Sequence, residues 1–331
     1  MRELCVIPGD GIGREVLPPA VAVLRELLPD LRLREAEAGW ECFQRHGTSV
    51  PEATLAALRE CGAGLFGAVS SPSHKVQGYR SAILRLRQEL GLYLNLRPVR
   101  AWPALSPRAG VDLLILRENS EGLYSGREHW ESDGVAIAER VISREACARL
   151  ARAAAHIARQ RQVRRITLVH KANVLPLTCG LFRDTCRDLL ATEGWSDVLD
   201  ERLVDVAALQ LVERPEAFDL IVTTNLFGDI LSDLASHWGG GLGVAPSLNL
   251  GDGLALAEPV HGSAPDIAGS GRANPLAAIL SAALLLRYHW RDEAAALRIE
   301  RAVEGYLQEE GHIDHGTETT RLVGEGVLKR L

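Results

Sequence analysis

Lysine is nearly absent from this chain of 331 residues. Of its 37 basic residues only three are lysine, namely Lys75, Lys171 and Lys329, which leaves 34 arginines. A GC-rich genome accounts for such a bias. The bias also makes each lysine informative, because lysine can lose its proton near neutral pH when its pKa is lowered, whereas arginine cannot. Lys171 directly follows a predicted strand, where the sites of parallel sheets gather. It is therefore a candidate for proton transfer, with an ordinary exposed loop lysine as the alternative.

Long apolar runs and an excess of positive charge are also lacking. The longest apolar stretch, residues 276–286, is too short to span a bilayer. The net charge of −6 gives no electrostatic reason to bind nucleic acid or an anionic membrane. The first residues show no signal-peptide pattern. We expect a cytoplasmic protein with no nucleic-acid partner and no membrane partner.

The cysteines show neither a C-x-x-C motif nor the spacing of a metal site. They read as reduced thiols of a cytosolic protein rather than as a disulfide framework. The six positions are Cys5, Cys42, Cys61, Cys147, Cys179 and Cys186.

Predicted strands alternate with predicted helices along the chain. Short apolar runs predict buried strands at 4–7, 65–69, 113–116, 166–169 and 220–223. Helical patterns occupy 14–28, 51–60, 81–90, 143–159, 181–190 and 229–236, and the chain after 274 is mostly helical. This alternation predicts an α/β fold with a largely parallel sheet. Breaks at 97–98 and 239–246 suggest two α/β lobes, the first formed by 1–97 with 245–331 and the second, 98–244, inserted into it.

An acidic pair on a predicted helix is the most informative motif. Asp229 and Asp233, within the sequence TTNLFGDILSD, stand four residues apart and project from one helix face. Two like charges there cost stability unless a cation lies near them. Paired hard oxygen ligands suit Mg²⁺ or Mn²⁺. Taken alone, such a pair is more often an ordinary solvated helix face.

The glycine loop GDGIG at residues 9–13 follows a strand and opens a helix. Its spacing is G-x-G-x-G rather than the dinucleotide fingerprint G-x-G-x-x-G, and the expected acidic residue is ambiguous between Glu35 and Glu37. A tight turn into a helix explains the loop equally well.

Three arginines and several polar loops are further candidates. Arg87, Arg97 and Arg117 flank apolar segments, and their planar guanidinium groups could bind a polycarboxylate. The sequence HGSAPD at 261–266 is a turn-rich loop able to present backbone N–H groups and a carboxylate to a ligand. Tyr124 follows a glycine turn, where a tyrosine is more often a packed aromatic than an acid catalyst. Serines at 70, 71 and 73 follow another strand.

Together these segments resemble the β-decarboxylating dehydrogenases, the NAD(P)-dependent enzymes that act on isocitrate, homoisocitrate, 3-isopropylmalate and tartrate. The resemblance runs from residue 7 to about 286 and is nearest to the bacterial homoisocitrate enzymes. It implies the isopropylmalate/isocitrate dehydrogenase-like fold, which is not a Rossmann fold. The first lobe would then carry the cofactor, and the inserted lobe would serve dimerisation and substrate binding. The segments that carry it are GDGIGREV, LRQELGLYLNLRPVR, RENSEGLYSG, HKANVLPLT, TTNLFGDILSD and EPVHGSAPDIAGSGRANP.

The resemblance implies a role for each candidate residue. Asp229 and Asp233 would bind Mg²⁺ or Mn²⁺ together with Asp205 of a second subunit. Lys171, also from the second subunit, would be the general base, and Tyr124 the acid that protonates the enol. The expected substrate-binding residues are Ser71, Ser81, Arg85, Arg87, Arg97, Arg117 and Asn173. The expected NAD-binding residues are Val69, Ser70, Ser71, Asn173, His261, Gly262, Ser263, Ala264, Pro265, Asp266 and Asn274.

The implied reaction is the oxidative decarboxylation of homoisocitrate, and of isocitrate, in lysine synthesis through 2-aminoadipate. The substrate is a small hydroxy-tricarboxylate, and the expected assembly is a homodimer or tetramer with shared active sites. Two alternatives within the family are a 3-isopropylmalate dehydrogenase and a non-catalytic regulatory subunit. A Rossmann-type hydroxyacid dehydrogenase, which needs no metal, is a third.

Overall fold

The chain forms two compact units in the computed structural model, which describes residues 1–74, 76–310, 313 and 316–331. The first unit comprises Met1–Leu92, Ala101–Ala109 and Gly239–Leu331, and the second comprises Tyr93–Arg100 and Gly110–Trp238. Lys75, one of the three lysines, lies outside the described residues.

The described residues form twelve strands and eleven α-helices. The strands are β1 Glu3–Gly9, β2 Arg32–Glu35, β3 Ala63–Ala68, β4 Leu94–Arg100, β5 Asp112–Glu118, β6 Glu128–Ser132, β7 Val135–Ala138, β8 Ile166–His170, β9 Leu199–Leu203, β10 Leu220–Thr223, β11 Pro246–Leu250 and β12 Ala255–Pro259. The helices are α1 Gly13–Leu27, α2 Trp40–His46, α3 Glu52–Cys61, α4 Ala82–Glu89, α5 Arg144–Arg161, α6 Thr178–Thr192, α7 Val204–Glu213, α8 Asn225–Ser236, α9 Leu276–Leu284, α10 Glu293–Glu310 and α11 Thr319–Leu328.

The first unit is built on five strands in the order β2-β1-β3-β12-β11. The pairings of β1 with β2 and β3, and of β3 with β12, are parallel, and β11 pairs antiparallel with β12. Every residue of α9 is buried, and this helix packs on α1, α10, β11 and β12. Side chains of α3 and α4, among them Leu55, Leu58 and Leu86, form a core cluster with Phe66 and Leu256.

The second unit has five strands in the order β4-β5-β10-β8-β9. Strands β5, β10, β8 and β9 run parallel, and β4 pairs antiparallel with β5. Helix α8 packs on β5 and on α7, and α5 packs on α6. Strands β6 and β7 form a separate antiparallel hairpin in which every residue is exposed.

The predicted fold class is confirmed: the chain has an α/β fold with largely parallel strand pairing. The five strands predicted from apolar runs are all present, and so are the six predicted helices, with ends shifted by up to four residues. Within the described residues, no helix is long and apolar enough to cross a membrane.

Candidate active site

Helix α8 presents the acidic pair to two buried arginines. Arg97 Nη1 lies 2.9 Å from Asp233 Oδ1 and 3.4 Å from Asp229 Oδ1. Arg117, which is 1% exposed, donates from Nη1 to Asp229 Oδ1. The guanidinium groups thus offset the like-charge repulsion expected between two carboxylates four residues apart. Because Asp233 is half-exposed and Asp229 partly exposed, both carboxylates remain open to a ligand.

Neutral side chains hold the two arginines in place. Asn225 Oδ1 accepts hydrogen bonds from Arg117 Nε at 2.9 Å and from Nη2 at 2.6 Å. Asn95 Oδ1 accepts from Arg97 Nε at 2.9 Å, and Ser232 Oγ accepts from Arg97 Nη1 at 2.8 Å. These three positioning residues were not predicted from the sequence. Asn225 opens the motif-bearing helix and Asn95 stands two residues before Arg97, and those positions were the only available signals.

Tyr124 completes this cluster. Its hydroxyl donates to Asp229 Oδ2, and the Arg117 guanidinium lies 4.9 Å from the centre of its ring. Burial, followed by the hydrogen bond to Asp229, raises the pKa of the Tyr124 hydroxyl. Burial likewise raises the pKa of Asp233, against the opposing effect of Arg97. A tyrosine hydroxyl is protonated at neutral pH, and the raised pKa keeps Tyr124 in that form.

Lys171 and Asp205 form a second pair. Lys171 follows β8, Asp205 lies in the first turn of α7, and Lys171 Nζ is 2.6 Å from Asp205 Oδ1. The hydrogen bond from Lys171 lowers the pKa of Asp205. The buried ring of His170 shapes the turn, because its Nδ1 accepts the N–H of Ala172 at 3.1 Å. Asn173 is exposed on the same turn.

Arg87 in the first unit is buried on α4 and paired with a glutamate. Its Nη2 lies 3.0 Å from Glu258 Oε1, which also accepts from Asn249 Nδ2 at 2.7 Å. Within the described part of the chain, its buried Nε has no hydrogen-bond partner. A buried N–H without a partner is costly, so this atom is suited to donate to a ligand.

Arg85 is directed elsewhere than Arg87. Two positions along a helix differ by about 200°, and Arg85 Nη1 donates to Thr48 Oγ1 at 2.6 Å. Arg85 and Arg80 line a cavity of about 300 Å³ together with residues 47–49. Ser81, half-buried, immediately precedes α4. Ser71 is exposed and lines a second cavity of about 500 Å³ with Tyr79.

The glycine loop is a packing feature, which favours the tight-turn interpretation. A Cβ on Gly9 would stand 1.9 Å from the Ala68 carbonyl oxygen, and one on Gly11 would stand 2.2 Å from the Ser263 carbonyl oxygen. The buried carboxylate of Asp10 accepts the backbone N–H groups of Trp40, Glu41 and Ser70 at 2.7 Å, 3.0 Å and 2.9 Å. The glycines therefore allow backbone to approach backbone, and Asp10 joins β1 to the end of β3 and the start of α2.

The same loop fixes the residues expected to bind the cofactor. The Ile12 N–H donates to the Ser263 carbonyl at 2.9 Å, and the hydroxyls of Ser70 and Ser263 are 2.7 Å apart. Glu15 on α1 accepts the N–H groups of Gly269 and Gly271. These hydrogen bonds tie the 261–271 segment to the glycine loop, to α1 through the Glu15 side chain, and to the segment after β3 through the Ser70 side chain.

Other expected cofactor residues surround this segment. His261 Nε2 is buried and has no partner within the described residues, and burial lowers the pKa of the ring. A neutral imidazole with a free buried nitrogen fits a heterocyclic ligand. Asn274 Oδ1 accepts the N–H of Leu276 at 3.0 Å. The remaining positions are half-buried or exposed: Val69, Gly262, Ala264, Pro265 and Asp266.

The fold and these groups together define a class of protein. Its site has arginines that can bind anionic oxygens, a protonated tyrosine, a lysine–aspartate pair and paired carboxylates. The hard oxygen donors of Asp229 and Asp233 fit Mg²⁺ or Mn²⁺. Comparison with known proteins makes the class specific.

A family model described as isocitrate/isopropylmalate dehydrogenase matches residues 3–326. The isocitrate/homoisocitrate dehydrogenase of Thermus thermophilus is 52% identical over 331 residues, which cover 99% of this chain and 98% of that protein. The 3-isopropylmalate/3-methylmalate dehydrogenase of Methanocaldococcus jannaschii is 44% identical over 313 residues, with 93% and 91% covered. Isocitrate dehydrogenase from Methylococcus capsulatus superimposes with a TM-score of 0.93 at 38% identity, covering 100% of this chain and 99% of that one.

The chain therefore belongs to the isocitrate/isopropylmalate dehydrogenase family of β-decarboxylating dehydrogenases. The resemblance inferred from the motifs is confirmed, and the chain is an oxidoreductase by family. Enzymes of this family generally use a divalent metal and NAD(P), act on small hydroxy acids and are usually oligomeric.

Proposed function

We propose that this chain catalyses the metal-dependent, NAD⁺-linked oxidative decarboxylation of homoisocitrate to 2-oxoadipate, and of isocitrate to 2-oxoglutarate. Its proposed place is lysine synthesis through 2-aminoadipate. The observation that carries the proposal is the hydrogen-bonded group in which Asp229 contacts both Arg117 and Tyr124 while Arg97 contacts Asp233. Arginines that can bind a carboxylate, aspartates that can bind a cation and a tyrosine that can donate a proton thereby lie in one hydrogen-bonded group.

In this reaction Arg87, Arg97 and Arg117 bind the two malate carboxylates. The unpartnered Nε of Arg87 supports its part in the clamp. Asp205, Asp229 and Asp233 are the proposed metal ligands, and a divalent cation, when bound, supplies Lewis-acid stabilisation of negative charge on substrate oxygens. Ser71 and Asn173 would contact the substrate and, when the cofactor is bound, its nicotinamide.

Two side chains then move protons. Lys171 Nζ, as the neutral amine, would accept the proton of the C2 hydroxyl, and NAD⁺, when bound, would supply the acceptor for the hydride that leaves C2. The ketone formed is β to a carboxylate, so the carbon–carbon bond can break with loss of CO₂ and leave an enolate. The Tyr124 hydroxyl donates its proton to the enol carbon, a role supported by its place beside Asp229 and Arg117.

The segment before Arg87 supports a substrate with a third carboxylate. Residues 79–85 contribute Tyr79, Arg80, Ser81 and Arg85. Arg80 and Arg85 line a polar cavity whose lining does not include Arg87, so the support comes from the positive charge of this segment and not from a shared pocket. The second candidate, 3-isopropylmalate, is favoured by a different observation: Leu84 is apolar and only half-buried on the same helix. An apolar substituent would suit that side chain.

Self-association is also proposed, as a homodimer or tetramer in which Lys171 and Asp205 serve the active site of the second subunit. Four apolar side chains on α7 and α8 are exposed: Val206 at 39%, Leu209 at 57%, Val212 at 49% and Ile230 at 57%. Exposed apolar groups on two packed helices are typical of an interface.

Retention of Lys171 and Tyr124 favours an enzyme over a non-catalytic regulatory subunit.

The decisive experiment is a comparison of kcat/KM for homoisocitrate, isocitrate and 3-isopropylmalate with the purified chain alone. We expect the two tricarboxylates to be turned over at least tenfold more efficiently. A preference for 3-isopropylmalate would reject the substrate assignment. The absence of turnover with all three acids would favour the regulatory alternative.

A further inference from the structure

Three side chains with metal-binding atoms meet at α2, apart from the carboxylate cluster of the second unit. Glu37 precedes the helix, and Cys42 and His46 lie on it four residues apart, on one face. One carboxylate oxygen, the thiol sulfur and one imidazole nitrogen all lie within 4.8 Å of one another. The spacing of the cysteines does not predict this group, because it contains only one cysteine.

We propose that Glu37, Cys42 and His46 bind one divalent cation of the zinc class, with water as the fourth ligand. Sulfur and imidazole ligands select Zn²⁺, or Co²⁺ as its probe, and disfavour Mg²⁺ and Mn²⁺. On binding, the thiol proton of Cys42 passes to solvent and the sulfur donates its electron pair to the cation. The site is thus distinct in place and in metal preference from Asp205, Asp229 and Asp233.

The distances suit such a site after a small adjustment. Bonds of about 2.0–2.3 Å in a tetrahedral zinc site place ligand atoms roughly 3.3–3.8 Å apart, so a pair of atoms must close by up to about 1.5 Å. Cys42 is 2% exposed and its sulfur is therefore fixed. The side chains of Glu37 and His46 are each about half-exposed and can move toward it. The open side leaves room for the water ligand.

Contacts within the chain already orient the outer ligands. Glu37 Oε2 is 3.3 Å from His46 Nε2, and Glu37 Oε1 is 3.2 Å from Arg45 Nη1. Because Arg45 binds one carboxylate oxygen, the other remains for the cation. Arg45 would then hold the ligand carboxylate as an outer partner, which is a common arrangement around metal sites.

A cation here would brace a helix of only seven residues. The N-terminal end of α2 is already held by Asp10, whereas the proposed ligands join its C-terminal end to the segment before it. Trp40 and Phe43 of α2 pack edge-on against Tyr79, each with ring centres 5.2 Å apart. Zinc-class metals should therefore stabilise the first unit whether or not substrate is present.

The test uses the full-length chain, stripped of metal and kept in excess Mg²⁺ so that hard carboxylate sites are filled. Co²⁺ is titrated while the thiolate-to-cobalt charge-transfer absorption in the near ultraviolet is recorded. We expect one equivalent to produce the band in the parent chain. The variant Cys42→Ser should lack it, and the matched control Cys61→Ser, which removes a half-buried thiol elsewhere, should keep it.

A second variant, at an exposed residue, tests the site even if Cys42→Ser fails to fold. His46→Gln changes an exposed residue and should weaken Co²⁺ binding at least tenfold, whereas His156→Gln, exposed on α5, should not. Zn²⁺ should raise the Tm of the parent chain and fail to raise that of His46→Gln. The proposal is overturned if the band is absent from the parent chain, survives in Cys42→Ser, or is unaffected by His46→Gln.

Discussion

At the scale of single residues, Tyr124 is the group whose role is easiest to test. Its hydroxyl is the proposed proton donor, and general acid catalysis contributes about 10²–10⁴-fold. We expect Tyr124→Phe to lower kcat by at least about 10²-fold while the substrate KM changes little. Because the pKa of Tyr124 is raised above its ordinary value, loss of its proton should not limit the rate anywhere near neutral pH. Steady-state kinetics from pH 6 to 9 would check both points.

The matched control for this change is Tyr306→Phe, which alters a buried tyrosine on α10. It should retain full activity. If both variants behave alike, Tyr124 is not the acid.

Asp229 is the residue that decides metal dependence. Changing Asp229 to Asn keeps the side-chain shape but removes a negative charge from the cluster with Arg97 and Arg117. Loss of one electrostatic stabiliser costs about 10²–10³-fold in kcat. We expect a fall of that size, together with complete loss of activity in the parent chain after exhaustive chelation. Full activity after chelation would refute the metal requirement.

Asp266 should set the choice of cofactor. The resemblance places Asp266 and Ile267 at the positions where NADP⁺-using relatives are expected to carry Lys and Tyr. A carboxylate accepts hydrogen bonds from ribose hydroxyls but repels a 2′-phosphate. We expect kcat/KM to favour NAD⁺ by at least tenfold, and Asp266→Lys to shrink that ratio. Equal efficiency with both cofactors in the parent chain would be evidence against the assignment.

At the scale of elements, the glycine loop between β1 and α1 should be intolerant of a methyl group. Gly11 has a φ of +53° and a Cβ there would meet the Ser263 carbonyl at 2.2 Å. Gly110 has a φ of +78° but open space around it. We expect Gly11→Ala to lower the free energy of unfolding by about 1–3 kcal/mol more than Gly110→Ala. Urea denaturation of both variants would measure the difference.

The helices and strands also show which features of the structure can be predicted from local sequence patterns. The acidic pair could be placed correctly because helical spacing is a local property, and α8 indeed bears both carboxylates. Strands β2 and β9, with the sequences RLRE and LDERL, were missed because charged residues mask their strand character. Asn225 and Glu258 could not be assigned, because their arginine partners come from distant parts of the chain.

At the scale of the whole molecule, shared active sites predict complementation. If Lys171 acts in the site of a second subunit, a mixture of Lys171→Ala and Tyr124→Phe chains contains some sites with both residues intact. Random pairing of two such chains should restore roughly a quarter of parent activity. The measurement is activity after subunit exchange, with exchange itself verified by differently tagged chains. No recovery in proven mixed oligomers would place both residues in one subunit's site.

The exposed apolar face of α7 should be needed for assembly. Leu209→Asp places a charge on that face and should yield a smaller, folded and inactive species in sedimentation experiments. Leu322→Asp is the control, since Leu322 is similarly exposed on α11. If Leu209→Asp assembles normally, another surface mediates self-association.

The carboxylate of Asp10 bears on the backbone motion of the first unit. The amide protons of Trp40, Glu41 and Ser70 share it as their acceptor, although they belong to separate parts of the first unit. Because withdrawal of that single side chain would release all three, their exchange with deuterated solvent should follow one common opening event. The end of β3 and the start of α2 should therefore fluctuate together, as a single kinetic unit.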